Sequence, residues 1–179
     1  HMASTGYLPL HTTTVDNIAA SEEDHYFRNE LIRGSVHDEG AATMGGIAGH
    51  AGLFSNATDL ATLYMMLLNK GSWEGKKYLD ASTIEQYTAY NTNNSRRGLG
   101  FDKPEKDNAN SKDPYPCLSA SPSTFGHTGF TGTCVWADPA HQLLFIFLSN
   151  RVYPTRDNKV FSNLNLRPKI QELVYSALE

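Results

Sequence analysis

The sequence predicts an α/β layered domain in which a small antiparallel sheet, containing residues 126–148, is flanked by helices. Apolar residues recur at i, i+3, i+4 and i+7 within residues 60–67 and again within residues 170–177, which is the spacing of an amphipathic helix. Between these stretches, two runs of strand-forming residues are joined by a short turn at residues 138–141. The chain of 179 residues is long enough for one domain with a real core.

The first fifty residues carry weak structural signals. Residues 5–20 are polar and rich in threonine, so we expect them to be irregular. Ser21 is followed by three acidic residues, a pattern that favours the start of a short helix. Residues 45–52 contain four glycines, which favour a tight turn with positive φ angles. This turn lacks the Gly-Lys-Ser/Thr sequence of a phosphate-binding loop.

The clearest helix is predicted to begin after Ser55 or Asn56, either of which can cap it, and to carry Asp59 in its first turn. Gly71 is typical of the residue just past the end of a helix. The predicted apolar face consists of Leu60, Leu63, Tyr64 and Leu67. We expect this face to pack against the sheet.

The segment between this helix and the sheet is predicted to hold three short elements. Residues 73–79 favour an extended piece that turns on Gly75. A capping-box pattern, Ser82-x-x-Glu85, predicts a helix that runs to about residue 89. Residues 96–101 favour a strand, and the arginine pair that opens it is expected to be solvated, although it could bind a carboxylate.

Residues 102–123 contain four prolines and few apolar residues, which predicts a long irregular segment draped over the site that follows it. The next hairpin has a strand to residue 137 and a second strand over residues 143–148. The second strand is apolar without alternation, so we expect it to be buried on both faces. A closing helix carries Pro168 in its first turn. Its predicted apolar face is Ile170, Leu173, Val174 and Ala177.

The segment of residues 125–133 has the composition of a binding site. Three glycines alternate with threonines and aromatic residues, and glycines in a strand mark places where a ligand or another backbone approaches closely. Within this segment His127, Thr128 and Gly129 would offer an imidazole, a hydroxyl and accessible backbone N–H groups. An ordinary Gly-rich hairpin with a surface histidine fits the same nine residues, so the residues alone leave both interpretations open.

We expect no metal and no cofactor. The triplet His37-Asp38-Glu39, with His50 further on, contains metal-ligating types, but consecutive residues rarely point at one ion and no His-Glu-x-x-His spacing is present. His50 is therefore more typical of a structural hydrogen-bonding residue. The two cysteines, Cys117 and Cys134, have no metal-site spacing, and we expect free thiols rather than a disulfide.

Bulk composition excludes several functions. The net charge is −4 and the isoelectric point is near 6.0, so the chain has no electrostatic footprint for nucleic acid or for an anionic membrane. No apolar run approaches the roughly 18 residues needed to span a bilayer, and no signal peptide is recognised. Residues 1–4 are typical of a cloning scar, so the predicted domain covers residues 5–179.

Two segments carry a family resemblance. His127-Thr128-Gly129 resembles the Lys/His-Thr-Gly box of the serine β-lactamase and penicillin-binding-protein superfamily. Residues 45–55, continuing into Asp59-Leu60-Ala61, resemble the Gly-rich turn and helix that precede this box in the class C and esterase-like branch, as in Bacteroidetes proteins. The likeness runs from about residue 5 to residue 178.

The resemblance implies a partial β-lactamase/transpeptidase-like fold and assigns roles to residues. The implied catalytic residues are His127 in place of the usual lysine, Thr128, Gly129, and Phe130 as a backbone oxyanion donor. The implied substrate-binding residues are His37, Asp38, His50 and Thr131. The implied substrates are peptidoglycan-like peptides, β-lactams or small esters, and the implied location is the periplasm or cell envelope.

The chain departs from the family where the nucleophile should be. No serine is followed three places later by lysine, and no tyrosine or serine is followed two places later by asparagine. We therefore expect residues 5–179 to be the C-terminal part of a serine hydrolase domain that is inactive alone. A non-catalytic cell-wall-binding or docking module, for example fused to a glycoside hydrolase, is the alternative.

The expected partners are a small-molecule or cell-wall peptide substrate and the remainder of the parent protein. In the family, the strand that corresponds to residues 143–148 has a neighbour on each side, and one of these comes from the N-terminal region that this sequence lacks. We therefore expect an exposed sheet edge that either pairs with a second copy of the chain or is covered by residues 5–20.

Overall fold

The computed structural model describes residues 2–178 and shows three small antiparallel sheets among five α-helices. The first half contains β1 (Glu22–Asp24), β2 (Glu30–Ile32), α1 (Glu39–Thr43), α2 (Ala57–Leu68), β3 (Ser72–Trp73), β4 (Lys76–Lys77) and α3 (Ala81–Thr88). The second half contains β5 (Phe125–Thr128), β6 (Cys134–Asp138), β7 (Leu143–Phe147), α4 (Val160–Asn163) and α5 (Leu166–Ser176). Short 3₁₀ turns occupy residues 9–11, 15–17 and 108–110.

The main sheet has the order β5-β6-β7, and all its neighbours are antiparallel. Its register places Phe125 opposite Ala137 and Trp136 opposite Phe145. Helix α2 covers one face and α5 covers the other, so the domain has three layers. This arrangement confirms the predicted antiparallel sheet flanked by helices.

Successive side chains of β6 point to opposite faces of the sheet. Val135 and Ala137 pack with Tyr64 of α2, whereas Cys134 and Trp136 pack towards α5. Every residue of β6 is buried for this reason. The strand that is buried on both faces is therefore β6. The prediction for residues 143–148 is wrong, because that strand lies at the edge and only Phe145 in β7 is fully buried.

Helix α2 confirms the prediction made from its capping residue and apolar face. The Asn56 side chain accepts a 2.8 Å hydrogen bond from the Asp59 backbone N–H, and Lys70 and Gly71 end the helix with positive φ angles. Tyr64 and Leu67 are buried, and Leu60 and Leu63 pack beside them. The hairpin of β3 and β4 on Gly75 is also confirmed.

Four local predictions are wrong. Residues 22–24 form β1 rather than a helix, since Glu22 and Asp24 are buried and the strand pairs with β2. The predicted helix exists as α3 and ends at Thr88, but it begins at Ala81 after Asp80, so Ser82 lies inside the helix and does not cap it. Residues 96–101 form no strand, and Arg96 instead binds a buried carboxylate. On α5, Leu173 is 70% exposed, and the inward face carries Tyr175 instead.

Three further structural predictions for the second half of the chain are confirmed. Residues 102–123 are irregular apart from one short 3₁₀ turn, and Asp102 pairs with Gly126 at the outer edge of β5. Pro168 lies in the first turn of α5. Cys117 and Cys134 are free and buried. Burial raises the pKa of the Cys134 thiol to about 11, as expected for a thiol that packs as an apolar group.

Candidate functional site

The predicted box His127-Thr128-Gly129 begins on β5, a strand that packs closely against its neighbours. A Cβ atom on Gly126 would lie 2.0 Å from the carbonyl oxygen of Val135, so only glycine fits this position. The outward N–H and C=O of Gly126 both bond to the backbone of Asp102, at 3.0 and 2.8 Å. Hydrogen-bonding direction alternates along an antiparallel strand, so Thr128 presents the next outward backbone groups.

A tight loop of residues 129–133 follows the strand and is fixed at several points. The Gly129 N–H donates to the Thr133 carbonyl at 2.8 Å, and Arg167 of α5 donates to both the Gly129 and Thr133 carbonyls. The Arg151 N–H donates to the Thr131 carbonyl at 2.8 Å. Within residues 2–178, the Phe130 N–H has no hydrogen-bond acceptor, so it is available to a ligand.

One cavity of about 490 Å³ brings all four predicted substrate-binding residues to this loop. We call it the Phe130 cavity. Its walls come from the loop, from the start of α1 and from the Gly-rich turn. The predicted site residues that line it are His37, Asp38, His50, Gly129, Phe130 and Thr131. Residues ninety positions apart in the sequence therefore meet at one site.

Phe130 occupies the rim of this cavity between two cationic or titratable side chains. Phe130 is 60% exposed, and its ring stacks on the His37 imidazole with ring centroids 5.6 Å apart. The Arg151 guanidinium lies on the ring, 4.4 Å from its centroid. These two contacts fix the side chain of the residue whose N–H is free, and so they orient the loop.

Charged residues that sequence analysis missed hold the cavity floor. The His37 Nε2 atom lies 2.8 Å from the Glu22 carboxylate, which is 1% exposed. Arg156 bonds to Glu22 and also to Glu39 at 2.9 Å. Burial pushes the pKa of Glu22 upwards, but hydrogen bonds from Arg156 and His37 outweigh it, and the net pKa is lowered. Glu22 is therefore a buried carboxylate that orients His37.

Asp38 and His50 line the cavity wall and also stabilise the local structure through hydrogen bonds. Asp38 caps α1 by accepting a 2.7 Å hydrogen bond from the Ala41 N–H, and the His50 Nε2 atom lies 3.1 Å from the same carboxylate oxygen. These hydrogen bonds, the one from Ala41 first, lower the pKa of Asp38.

A second, smaller cavity of about 160 Å³ lies on the other side of the box, and we call it the Thr128 cavity. Its walls come from the long irregular segment, from β5 and β6, and from the first turns of α5. The polar residues that line it are Tyr115, Thr128, Ser162, Asn165, Arg167 and Gln171. Gln171 is 1% exposed, and its amide nitrogen has no hydrogen-bond partner among the described residues.

His127 lines neither cavity and lies at the exposed strand edge beside Arg97. The expectation that both arginines are solvated is wrong. Arg96 makes two hydrogen bonds, of 3.0 and 3.2 Å, to the carboxylate of Asp102, which is 1% exposed. Arg97 contacts the same carboxylate at 3.4 Å, and the Tyr115 hydroxyl donates to it at 2.8 Å. Asp102 is thus the centre of a polar cluster behind the box.

Within the described residues, no group of three or more His, Cys, Asp or Glu side chains is arranged to hold a metal ion. No helix between residues 2 and 178 is both long and apolar enough to cross a membrane.

Comparison with known proteins relates the chain to one family. The model of the beta-lactamase family matches residues 5–164. Proteins provisionally named D-alanyl-D-alanine carboxypeptidase from Salmonella enteritidis and Salmonella gallinarum are 38% identical over an alignment of 160 residues that covers 87% of this chain. The match covers 35% of each relative, so the chain spans about a third of the length of these proteins.

A solved structure shows the same fold. The crystal structure of a beta-lactamase from Mycobacterium bovis superposes with a TM-score of 0.53 and 22% sequence identity. The likeness covers 72% of this chain and 46% of that one. Sheet, helices and chain order therefore correspond to part of a beta-lactamase fold.

Proposed function

The chain belongs to the beta-lactamase family, and on that premise we propose that it forms the C-terminal part of a serine hydrolase domain that transfers acyl groups. The observation that carries the proposal is the position of the box between two cavities. Gly129, Phe130 and Thr131 line the larger cavity, whereas Thr128 lines the smaller one. A substrate bound along the box would place the groups on either side of its reacting carbonyl in separate cavities.

The loop after β5 supports stabilisation of a tetrahedral oxyanion. Acyl transfer needs two hydrogen-bond donors aimed at the carbonyl oxygen as it becomes negatively charged. The Phe130 N–H is one free donor, and the contacts of Arg167 and Arg151 hold its loop rigid. In this mechanism the second donor is the backbone N–H of the nucleophile itself.

The donors of the Thr128 cavity favour a peptide substrate that ends in a carboxylate. The Thr128 hydroxyl, the Arg167 guanidinium and the unpartnered Gln171 amide all line it, and no carboxylate does. Its volume suits one small residue as a leaving group. The relatives are named as carboxypeptidases of D-alanyl-D-alanine peptides, and a carboxypeptidase acts at the carboxyl terminus of its substrate. This name supports a peptidoglycan-like peptide over a large ester.

The nucleophile is proposed to come from residues outside these 179, since no serine here lies in a Ser-x-x-Lys sequence. Covalent catalysis has no first step without that pair, so the chain alone is inactive. The same absence favours the alternative function, a non-catalytic module that binds cell-wall peptide or docks on a parent protein. A peptidoglycan-like substrate implies a location in the cell envelope under either proposal.

Two assays test the proposal. The isolated chain is expected to turn over neither a chromogenic cephalosporin nor p-nitrophenyl acetate, whereas the longer polypeptide with a Ser-x-x-Lys sequence is expected to do so. A D-alanyl-D-alanine peptide should shift NMR signals of residues 128–131 in the isolated chain. Thr128→Val should weaken these shifts, and Thr58→Val, on the exposed first turn of α2, should not.

The outcomes separate the alternatives. Turnover by the isolated chain, with an acyl group attached to one of its own serines, would show that the nucleophile lies within it. Peptide binding without activity in the longer polypeptide would support the binding module. Peptide shifts confined to residues away from the box would contradict both proposals.

A further inference from the structure

Both ring nitrogens of His127 are engaged. The Nε2 atom lies 2.9 Å from Nη1 of Arg97, and the Nδ1 atom lies 2.8 Å from the carbonyl oxygen of Thr128. The imidazole therefore bridges an arginine on the preceding loop and the backbone of its own strand. The contact with Arg97 does not follow from the box sequence, because Arg97 lies 30 residues away along the chain.

The chemistry of the two partners fixes the tautomer. An arginine guanidinium is a donor only, so Nε2 must accept the hydrogen bond from Arg97. A carbonyl oxygen is an acceptor only, so Nδ1 must carry the hydrogen. We propose that Arg97 is a positioning residue of the box that holds His127 as the neutral Nδ1–H tautomer.

Arg97 is itself held in place by the cluster around Asp102. Its Nε atom lies 3.4 Å from the Asp102 carboxylate, which also binds Arg96 and accepts a 2.8 Å hydrogen bond from Tyr115. Asp102 pairs through its backbone with Gly126, one residue before the histidine. The same residue thus fixes the strand and the arginine relative to each other.

The Nδ1–H tautomer has a direct effect on the strand edge. By donating to the Thr128 carbonyl, His127 occupies the outward acceptor of the box and leaves the outward Thr128 N–H open. Its Nε2 lone pair points at Arg97, so it is not free to take a proton from a ligand in this arrangement. His127 therefore shapes the edge and does not act as a base.

The positive charge beside the imidazole of His127 comes from Arg97. Its side chain is 50% exposed and bonds to Nε2 through only one of its terminal nitrogens. A ligand anion at the box would meet this guanidinium beside a neutral imidazole. This consequence rests on the proposed function, but the tautomer itself does not, and it can be measured in a chain without turnover.

Nuclear magnetic resonance of ¹⁵N-ring-labelled histidine tests the proposal at mildly alkaline pH. The His127 signals, assigned by their loss in His127→Gln, are expected to show a hydrogen on Nδ1 and a lone pair on Nε2. Arg97→Met removes the donor, so Nε2–H is expected to appear as a major form. Arg97→Lys keeps a donor and should restore the Nδ1–H pattern.

Arg33→Met is the matched control, because it removes an arginine that bonds to backbone carbonyls far from the box. It should leave the His127 signals unchanged. The backbone amide spectrum of each variant reports whether it is folded. An Nε2–H signal in the unaltered chain, or an unchanged Nδ1–H signal in folded Arg97→Met, would overturn the proposal. Neither result bears on acyl transfer, which the turnover assays measure separately.

Discussion

The guanidinium of Arg156 donates to the buried carboxylate of Glu22, with Nε 2.8 Å and Nη2 2.6 Å from the same oxygen. The two residues are 134 positions apart, and their contact joins β1 to the segment that follows β7. Arg156 also reaches Glu39 at the start of α1, and Glu22 reaches His37. One ion-pair cluster therefore assembles three separate parts of the Phe130 cavity.

Loss of one partner from this cluster should be costly. Arg156→Met leaves the Glu22 carboxylate buried without its cation, which typically costs about 3–5 kcal/mol. Urea unfolding should show this loss as a lower midpoint. The matched control is Lys77→Met, which breaks a solvent-exposed pair with Asp80 and should shift the midpoint little. Equal losses in the two variants would contradict a structural role for Glu22.

Acid should destabilise the fold through carboxylates whose pKa is lowered. Asp138 is 1% exposed, and although burial acts to raise its pKa, hydrogen bonds from Ser121, Tyr175 and His141 lower it well below the ordinary value. Such a group stabilises the fold above its unfolded pKa of about 4, and the stabilisation is lost as pH falls through its folded pKa.

The measurement is the unfolding free energy as a function of pH. It is expected to fall steadily below about pH 4 in the unaltered chain. Asp138→Asn should flatten this dependence, and Asp113→Asn, on the exposed part of the long irregular segment, should not. A parallel slope in Asp138→Asn would show that other carboxylates dominate acid unfolding.

Lys103 should destabilise the folded state when it is charged, in contrast to Asp138. It is 2% exposed, its ammonium donates to the Thr124 carbonyl at 2.9 Å, and burial lowers its pKa to about 8. Because the folded pKa is below the unfolded one, the folded state is destabilised when the amine is charged. The contribution of Lys103 to stability should therefore rise as pH increases from about 8 towards the unfolded pKa of about 10.4.

Substitution isolates this contribution from the thiols that begin to titrate in the same range. Lys103→Met should stabilise the chain by about 1–3 kcal/mol near neutral pH, and the gain should shrink as pH rises above 8. Lys112→Met, at an exposed position, should change little. A loss of stability in Lys103→Met at every pH would mean that the hydrogen bond to Thr124 outweighs the burial of charge.

Gly126 should tolerate no side chain. An added Cβ would meet the Val135 carbonyl oxygen at 2.0 Å and the Trp136 ring at 2.8 Å, and both atoms belong to a buried strand that cannot move away. Gly126→Ala should therefore lose about 3 kcal/mol or more by forcing β5 from β6. Gly6→Ala is the control, because nothing lies within 4 Å of its added Cβ. Thermal unfolding of both variants measures the difference.

Local sequence signals predicted the elements that are determined locally. The Asn56 cap and the apolar spacing of α2 act within one or two turns, so the helix followed from its own residues. The acidic residues of β1 misled the prediction, since Glu22 is buried only because Arg156 arrives from the other end of the chain. A single sequence carries no signal for such a distant ion pair.

The candidate site was predictable in part for the same reason. The resemblance supplied the residues that line the Phe130 cavity, but the assignment of a catalytic role to His127 used no information about Arg97. Sequence analysis did not single out Arg167 or Gln171, which line the Thr128 cavity. Their role depends on how α5 packs across β6, which the period of its apolar residues leaves open.

The free edge of β7 leads to the last prediction. Among the described residues β7 pairs with β6 only, and its outward backbone groups have no strand partner. The N-terminal residues approach the end of this strand, where Asn150 bonds to the Ala20 carbonyl, but they add no strand to the sheet. An apolar, unpaired edge is a template for another strand.

We therefore expect the isolated chain to self-associate through β7, most simply as a two-fold dimer. Leu148, at the end of the strand, is 44% exposed, and Leu148→Lys places a charge on the edge. Leu173→Lys makes the same change at a position on α5 that is 70% exposed and away from the edge. Light scattering after size exclusion should show a lower mass for the first variant only.

Deletion of residues 5–20 should increase self-association if those residues shield the edge. A chain that stays monomeric and soluble with residues 5–20 deleted would contradict the expectation and show that β7 is protected by its own twist and flanking loops.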